Sequence, residues 1–181
     1  MNQTKEPFGF IRYAAGYLIG IFIFLVLIPL GIWSMAASEY WLFSLPVIPH
    51  GGIRLVLAVF FFCLGCLFVL WSNLFLVLRG KGGPTDIAGV SISPRTKKLV
   101  NDGPYRYTRN PMVFGVHSIY FSLSLFFNSL GCLLVLVLFY VTLVRLVVLQ
   151  EEKRLLKDFG SEYAEYRDKT PLFFPWFPKK E

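Results

Sequence analysis

Residues 113–144 read VFGVHSIYFSLSLFFNSLGCLLVLVLFYVTLV, a run of 32 residues in which only His117 titrates near neutral pH. As one helix it would extend about 48 Å, well beyond the roughly 30 Å hydrocarbon core of a bilayer. The letters NSLG at residues 128–131 favour a turn and interrupt the apolar pattern near its middle. The run therefore predicts a hairpin of two membrane helices, at about residues 111–127 and 129–149.

Two further apolar runs precede this hairpin, at residues 13–38 and 55–78. Their 26 and 24 uncharged residues exceed the roughly 20 that a membrane helix needs, and the first is too long for a removable signal peptide. With 55% hydrophobic residues, the chain has the composition of a membrane protein. We therefore predict an all-α membrane protein, a single domain over residues 1–181 with about four transmembrane helices. Gly16 and Gly20 form a G-x-x-x-G pair, which predicts close packing of the first helix against a neighbour.

The basic residues indicate which helix ends face the cytoplasm. Residues 79–110 carry seven of them: Arg79, Lys81, Arg95, Lys97, Lys98, Arg106 and Arg109. Residues from 150 onward carry seven more: Lys153, Arg154, Lys157, Arg167, Lys169, Lys179 and Lys180. The loop between the first two spans carries Arg54 alone. Because Lys and Arg prefer cytoplasmic loops, this distribution favours four spans with both termini in the cytoplasm; three spans would leave one basic segment outside.

The net charge of +7 fits this orientation and an attraction to anionic headgroups. No zinc-binding spacing, helix-turn-helix pattern or aromatic–basic platform accompanies the charge, so we predict no nucleic-acid partner and no metal site. Cys63, Cys66 and Cys132 all lie in apolar runs, where cysteine favours packing over disulfide formation.

The stretch GPYRYTRNPM, residues 103–112, lies where the third span begins. Its two prolines exclude a regular helix, and Pro111 at a helix start leaves amide donors that an anionic ligand group can approach. Its arginines and tyrosines fit plain interfacial anchoring equally well. His117 lies two turns after Asn110 on about the same helical face. It is either a catalytic or binding residue of the site or an interfacial histidine.

The end of the fourth span is also polar. At 100° per residue, Arg145 and Glu152 lie on one stripe of the helix, where Arg145 either serves a site or extends to the lipid headgroups. The following stretch KRLLKDFGSEYAEY, residues 153–166, predicts a cytoplasmic amphipathic helix, interrupted at Gly160. Residues 79–110 and 150–181 therefore form the two cytoplasmic segments of the predicted site.

These motifs resemble a known family. LVNDGPYRYTRNPM (99–112), a helical hairpin, and then EEKRLLKDFGSEYAEYRDKTP (151–171) resemble the integral-membrane methyltransferases that include isoprenylcysteine carboxyl methyltransferases and phosphatidylethanolamine N-methyltransferases. The likeness covers roughly residues 99–178. It implies that S-adenosylmethionine binds at the cytoplasmic side, between the segment before the third span and the segment after the fourth.

The resemblance also implies which residues form the site. The cofactor pocket would be formed by Gly103, Tyr105, Arg109, Asn110, Pro111, Glu151, Glu152, Tyr163 and Tyr166, to which the helical spacing adds His117. The predicted catalytic residues are Arg145, Glu152 and Asn110, with Arg145 holding a carboxylate or phosphate of the substrate. Asn110 stands where many relatives have histidine, which leaves the identity of the substrate open.

Three functions follow from this interpretation. The first is carboxyl O-methylation of a lipophilic or lipid-modified substrate, as in the isoprenylcysteine carboxyl methyltransferases. The second is N-methylation of a phospholipid headgroup. The third is a noncatalytic four-span scaffold that binds partners. The first two require S-adenosylmethionine, and all three place the protein among membrane lipids.

Overall fold

The computed structural model describes residues 18, 20, 22–42, 46–80, 86–87, 90–91, 98–143 and 148–177. Within these ranges the regular structure is helical apart from a short antiparallel ladder of β1 (Asp86–Ile87) and β2 (Val90–Ser91), and irregular segments connect the elements. The α-helices are α1 (Ile28–Leu42), α2 (Gly51–Phe75), α3 (Pro111–Phe127), α4 (Leu130–Leu143) and α5 (Leu149–Lys169). A π-helical turn precedes α1 (Ile23–Leu27), a second follows α2 (Leu76–Gly80), and a 3-10 helix covers Gly103–Arg106.

Together, α2 and its π-helical turn form the helix that is long and apolar enough to cross a membrane, judged by the length and composition of the described residues. It covers Gly51–Gly80, 30 residues, or about 45 Å at the usual helical rise. Three shorter apolar helices accompany it, over Ile23–Glu39, Pro111–Phe127 and Leu130–Thr142. The fold is therefore built around one long apolar helix and shorter apolar partners.

The first helix continues beyond residue 38, where the sequence prediction ends it, and reaches Leu42. Its extra turn contains Glu39, whose carboxylate lies at the start of α4. The amides of Leu130 and Gly131 donate to this carboxylate at 3.1 and 2.9 Å, and the Ser129 hydroxyl donates to it as well. A carboxylate at a helix N-terminus satisfies free amides and complements the helix dipole. Glu39 therefore joins α1 to α4.

The connection between α3 and α4 is the turn predicted from the letters NSLG. Asn128 adopts the left-handed conformation (φ 56°, ψ 40°) and ends α3. Its side-chain oxygen accepts a hydrogen bond from the amide of Ile48 at 2.9 Å. Asparagine tolerates this backbone conformation better than most residues do, which explains why the apolar run breaks at this position.

The α2–α3 contact depends on two facing glycines. A β-carbon on Gly65 would lie 2.6 Å from the Gly115 carbonyl oxygen, and a β-carbon on Gly115 would lie 2.8 Å from that of Gly65. The two backbones therefore approach more closely than any side chain would allow. The sequence predicted a different packing pair, Gly16 and Gly20. A β-carbon on Gly20 would meet no atom within 4 Å, so the prediction is wrong for this residue; Gly16 lies outside the described residues.

The buried core lies where α1, α3 and α4 meet. Ile32, Tyr120 and Cys132 form its centre, and the Tyr120 hydroxyl donates to the carbonyl oxygen of Phe24 at 2.8 Å. Cys132 is a free thiol. This packing fixes α3, and with it the polar residues that precede and follow its first turn.

Candidate functional site

The polar segment before α3 is fixed by a glycine. Gly103 has φ +58°, and a β-carbon there would lie 2.3 Å from Cε1 of Phe75 at the end of α2. Only glycine fits this backbone conformation against that ring. The 3-10 helix that follows carries Tyr105 into the interior, where 9% of its surface is exposed.

Helix α5 faces this segment and bends at Gly160, which has φ 55° and ψ −126°. The interruption expected from the sequence is therefore present. Glu152 lies before the bend, and Tyr163 and Tyr166 lie after it. The Tyr166 hydroxyl donates to the carbonyl oxygen of Tyr105 at 2.7 Å, which fixes the second arm of α5 against the 3-10 helix.

An ion pair joins the two segments. Nη1 of Arg109 lies 2.9 Å from Oε1 of Glu152, and the two side chains are 12% and 16% exposed. The two charges compensate each other at this distance, and the Tyr163 phenol lies beside both groups. Among the described residues, Glu152 contacts the cation of Arg109; Arg145, predicted to share a stripe with Glu152, lies outside the described residues.

Three phenols surround this ion pair, and all of them remain protonated. Tyr163 is 1% exposed, and burial raises the pKa of its phenol; the Glu152 carboxylate raises it further, while Arg109 lowers it. Burial likewise raises the pKa values of Tyr105 and Tyr166. At neutral pH these groups are therefore neutral hydrogen-bond donors and not phenolate bases.

His117 lies deeper on α3, with 7% of its surface exposed. Its Nδ1 atom lies 2.8 Å from the carbonyl oxygen of Val113, and its Nε2 atom is buried without a partner. Three aromatic rings contact the imidazole, one stacked and two edge-on: Phe139, Tyr140 and Phe173.

Unpartnered polar atoms are concentrated in this region. Within the described ranges, the buried side-chain nitrogen and oxygen atoms that lack a hydrogen-bond partner belong to Arg109, His117 and Glu152. Arg109 Nη1 and Glu152 Oε1 compensate each other as an ion pair, whereas Arg109 Nε and His117 Nε2 have no such partner and each cost about 1–3 kcal/mol. Atoms of this kind mark a place where a ligand can supply the missing partners. Sequence analysis named all three residues as candidates.

The C-terminal strap, residues 170–177, lies across the segment before α3 and was not predicted to do so. The Thr108 side chain is 0% exposed, and its hydroxyl lies 3.3 Å from the Leu172 carbonyl oxygen and 2.9 Å from that of Phe173. The Arg109 amide donates to the Pro171 carbonyl at 2.9 Å, and the Trp176 amide donates to the Tyr107 carbonyl at 2.9 Å. The strap therefore holds the backbone on both sides of Thr108.

We expect Thr108→Val to release the strap. Valine has nearly the same shape, but it leaves the buried carbonyl oxygens without the hydroxyl donor, at a cost of about 1–3 kcal/mol. Limited proteolysis with mass spectrometry would measure this as faster cleavage after Phe173. Thr108→Ser keeps the hydroxyl and serves as the matched control. Equal cleavage rates in the valine variant and the parent protein would contradict this role.

Several residues predicted to form the site contact groups other than the Arg109–Glu152 pair. The Asn110 side-chain amide donates to the Leu172 carbonyl at 3.0 Å, and Pro111 is the first residue of α3. Glu151 accepts a hydrogen bond from Nε of Arg154 at 3.0 Å, on the same helix. Gly103 is adjacent to the site through its contact with Phe75. The roles of these residues toward a cofactor or a substrate stay predictions.

The region of the chain that matches a known protein family contains the helices that form this site. A sequence model described as Phospholipid methyltransferase matches residues 53–162, from the first turn of the long apolar helix α2 to the second arm of α5. The match contains both members of the Arg109–Glu152 pair and leaves the strap outside. No curated protein and no solved structure matches the chain. Because the matched region covers more than half of the sequence, the chain belongs to the phospholipid methyltransferase family, a membrane-associated family of methyltransferases.

Proposed function

We propose that the protein transfers a methyl group from S-adenosylmethionine to a lipophilic substrate at the membrane. The observation that carries this proposal is the buried Arg109–Glu152 pair, in which Arg109 Nε has no hydrogen-bond partner. The amino-acid end of the cofactor carries one carboxylate and one ammonium group. A guanidinium and a carboxylate with unused hydrogen-bonding capacity are chemically matched to those two groups.

In this proposal, Arg109 holds the carboxylate of the cofactor and Glu152 its ammonium group, with the protonated Tyr163 as an additional donor. When bound, S-adenosylmethionine supplies a methyl group attached to a positively charged sulfur. The chain then needs to align the methyl acceptor and to exclude water, and no covalent intermediate with the protein is required. The strap contributes to this exclusion by covering the backbone next to Arg109.

The contact between Arg109 and Glu152 also supports the proposed topology. Arg109 precedes α3 and Glu152 follows α4, so a 2.9 Å contact requires both segments to lie on one side of a bilayer that α3 and α4 cross. The density of basic residues in both segments supports the cytoplasmic side. Phe174, Trp176 and Phe177 of the strap are each more than 70% exposed, as suits an interfacial aromatic belt.

Two methyl acceptors are compatible with this site. A carboxyl group, as in the isoprenylcysteine carboxyl methyltransferases, is already deprotonated and needs no base, whereas a headgroup amine must lose a proton. Arg145, the predicted partner of a substrate carboxylate, lies outside the described residues. Membranes incubated with cofactor labelled in the methyl group would identify the acceptor, because alkali releases methanol from a methyl ester and leaves an N-methyl group intact.

Equilibrium binding of radiolabelled S-adenosylmethionine to the purified protein tests the cofactor site. We expect Arg109→Gln with Glu152→Gln to weaken binding by roughly 10- to 100-fold, because charge-assisted hydrogen bonds contribute about 1.5–3 kcal/mol. Arg106→Ala with Glu162→Ala removes the same charges from exposed positions and is the matched control. Absence of saturable binding to the parent protein would refute the proposed cofactor; unchanged affinity in the glutamine variant would refute the residue assignment.

A further inference from the structure

The histidine on α3 has a fixed hydrogen-bonding state. A carbonyl oxygen only accepts hydrogen bonds, so the 2.8 Å contact with Val113 places the proton of His117 on Nδ1. Nε2 then carries a free lone pair. This atom is buried, has no partner, and points among the rings of Phe139, Tyr140 and Phe173. A packing residue would not need that acceptor, since a phenylalanine would fill the same apolar space without an unsatisfied atom.

His117 is connected to the cofactor region through the strap. Phe173 contacts the imidazole with its ring, and its carbonyl oxygen accepts a hydrogen bond from Thr108, the neighbour of Arg109. His117 also follows Asn110 by two turns on α3, about 10 Å further along the helix axis. His117 therefore lies further into the apolar helix α3 than Asn110, among buried aromatic rings.

The other titratable groups near the ion pair are engaged, and the Glu152 carboxylate itself lies 2.9 Å from Nη1 of Arg109. The phenols of Tyr105, Tyr163 and Tyr166 are protonated donors at neutral pH. Both oxygens of Glu151 face Arg154. Among the described side chains around α3 and α5, His117 Nε2 is thus a basic atom whose lone pair has no hydrogen-bond partner.

We infer that His117 is a catalytic residue whose Nε2 atom accepts the proton of the methyl acceptor, an inference that rests on the proposed function. The acceptor is then a nucleophile that carries an N–H or O–H hydrogen. Its lone pair forms a bond to the methyl carbon, the carbon–sulfur bond breaks with its electron pair going to sulfur, and the proton moves to Nε2. The imidazolium afterwards releases that proton to water.

A first test needs no cofactor. The chain contains two histidines, so His50→Gln leaves His117 as the only imidazole. Nitrogen NMR of this variant, labelled in its histidine ring and reconstituted in lipid nanodiscs, is expected to show a protonated Nδ1 and an unprotonated Nε2. A proton on Nε2 instead of Nδ1 would overturn the inference, because no lone pair would be available at that atom.

The second test separates catalysis from packing. His117→Phe keeps an aromatic ring among its neighbours and removes the base, so we expect kcat for labelled methyl transfer to membrane lipids to fall by about 10²–10⁴-fold. Binding of S-adenosylmethionine should stay within twofold. His117→Gln restores a hydrogen-bond acceptor but has no basic nitrogen. Its KM should therefore match that of the parent protein, while its kcat should stay low. The exposed His50→Phe is the control.

The outcomes distinguish the two proposals. If the parent protein transfers methyl groups and His117→Phe keeps its kcat, the role of His117 is refuted while the proposed function stands. If the label is found only in alkali-labile methyl esters, His117 is likewise refuted as a base, because a carboxylate has no proton to give. If the parent protein does not bind the cofactor, the proposed function fails, and the inference fails with it.

Discussion

Gly65→Leu is expected to separate α2 from α3 and to lower the unfolding temperature of the protein strongly. At this position even the first side-chain carbon would lie 2.6 Å from the Gly115 carbonyl oxygen and 2.9 Å from the Ile119 amide nitrogen. These are backbone atoms of a packed helix, so they cannot move aside as a flexible side chain would. Overpacking a well-packed interior costs about 1–3 kcal/mol for added methylenes, and a backbone clash on both helices should exceed that range.

The measurement is thermal unfolding of the detergent-solubilised protein, followed by size-exclusion chromatography with fluorescence detection. Gly31→Leu is the matched control, because Gly31 also lies in an apolar helix and a β-carbon there would meet no atom within 4 Å. We expect this control to unfold at or slightly above the parent temperature, since leucine favours helices over glycine. Equal unfolding temperatures for Gly65→Leu and Gly31→Leu would contradict the proposed glycine contact.

Arg109→Met is expected to lower the free energy of unfolding by about 3–5 kcal/mol, because it leaves the Glu152 carboxylate buried without a counter-charge. The two side chains are 12% and 16% exposed, so water screens the remaining charge poorly. Adding Glu152→Met should recover much of this loss, because a buried ion pair replaced by apolar residues of similar size is often nearly neutral. The double variant must therefore be more stable than the single one.

Denaturant titration of the single and double variants gives these free energies. Arg79→Met is the control, because its pair with Asp102 spans 3.5 Å with side chains 67% and 45% exposed. Pairs of this kind contribute between about 0 and 1 kcal/mol. A double variant that is no more stable than Arg109→Met would mean that Glu152 is stabilised by other groups, and that the two charges do not act as a unit.

Local chemistry explains which features were predictable from the sequence. The break at Asn128, the helix start at Pro111 and the bend at Gly160 each depend on the backbone preferences of one residue, so the letters alone indicate them. Arg109 and Glu152 could likewise be picked out as residues that need a partner, because ionisable residues at the ends of apolar helices are costly without one. The residue types alone do not indicate which partner each one contacts.

Features that join distant segments could not be read from the sequence. The strap is held mainly through backbone atoms, such as the carbonyls of Leu172 and Phe173, and backbone groups leave no mark on residue type. The Gly65–Gly115 contact joins two isolated glycines, while the G-x-x-x-G spacing drew attention to another helix. Glu39 was taken as the boundary of a span because its partners on α4 are not visible in the local pattern.

The position of Glu39 also bears on how the protein is synthesised. The amide of Gly131 that it accepts from is added to the growing chain 92 residues later. Until then, the carboxylate has to stay hydrated or be met by another donor while the first helix is already leaving the ribosome. The contact that joins α1 to α4 is therefore a late event in biogenesis, because it forms only after residue 131 has been synthesised.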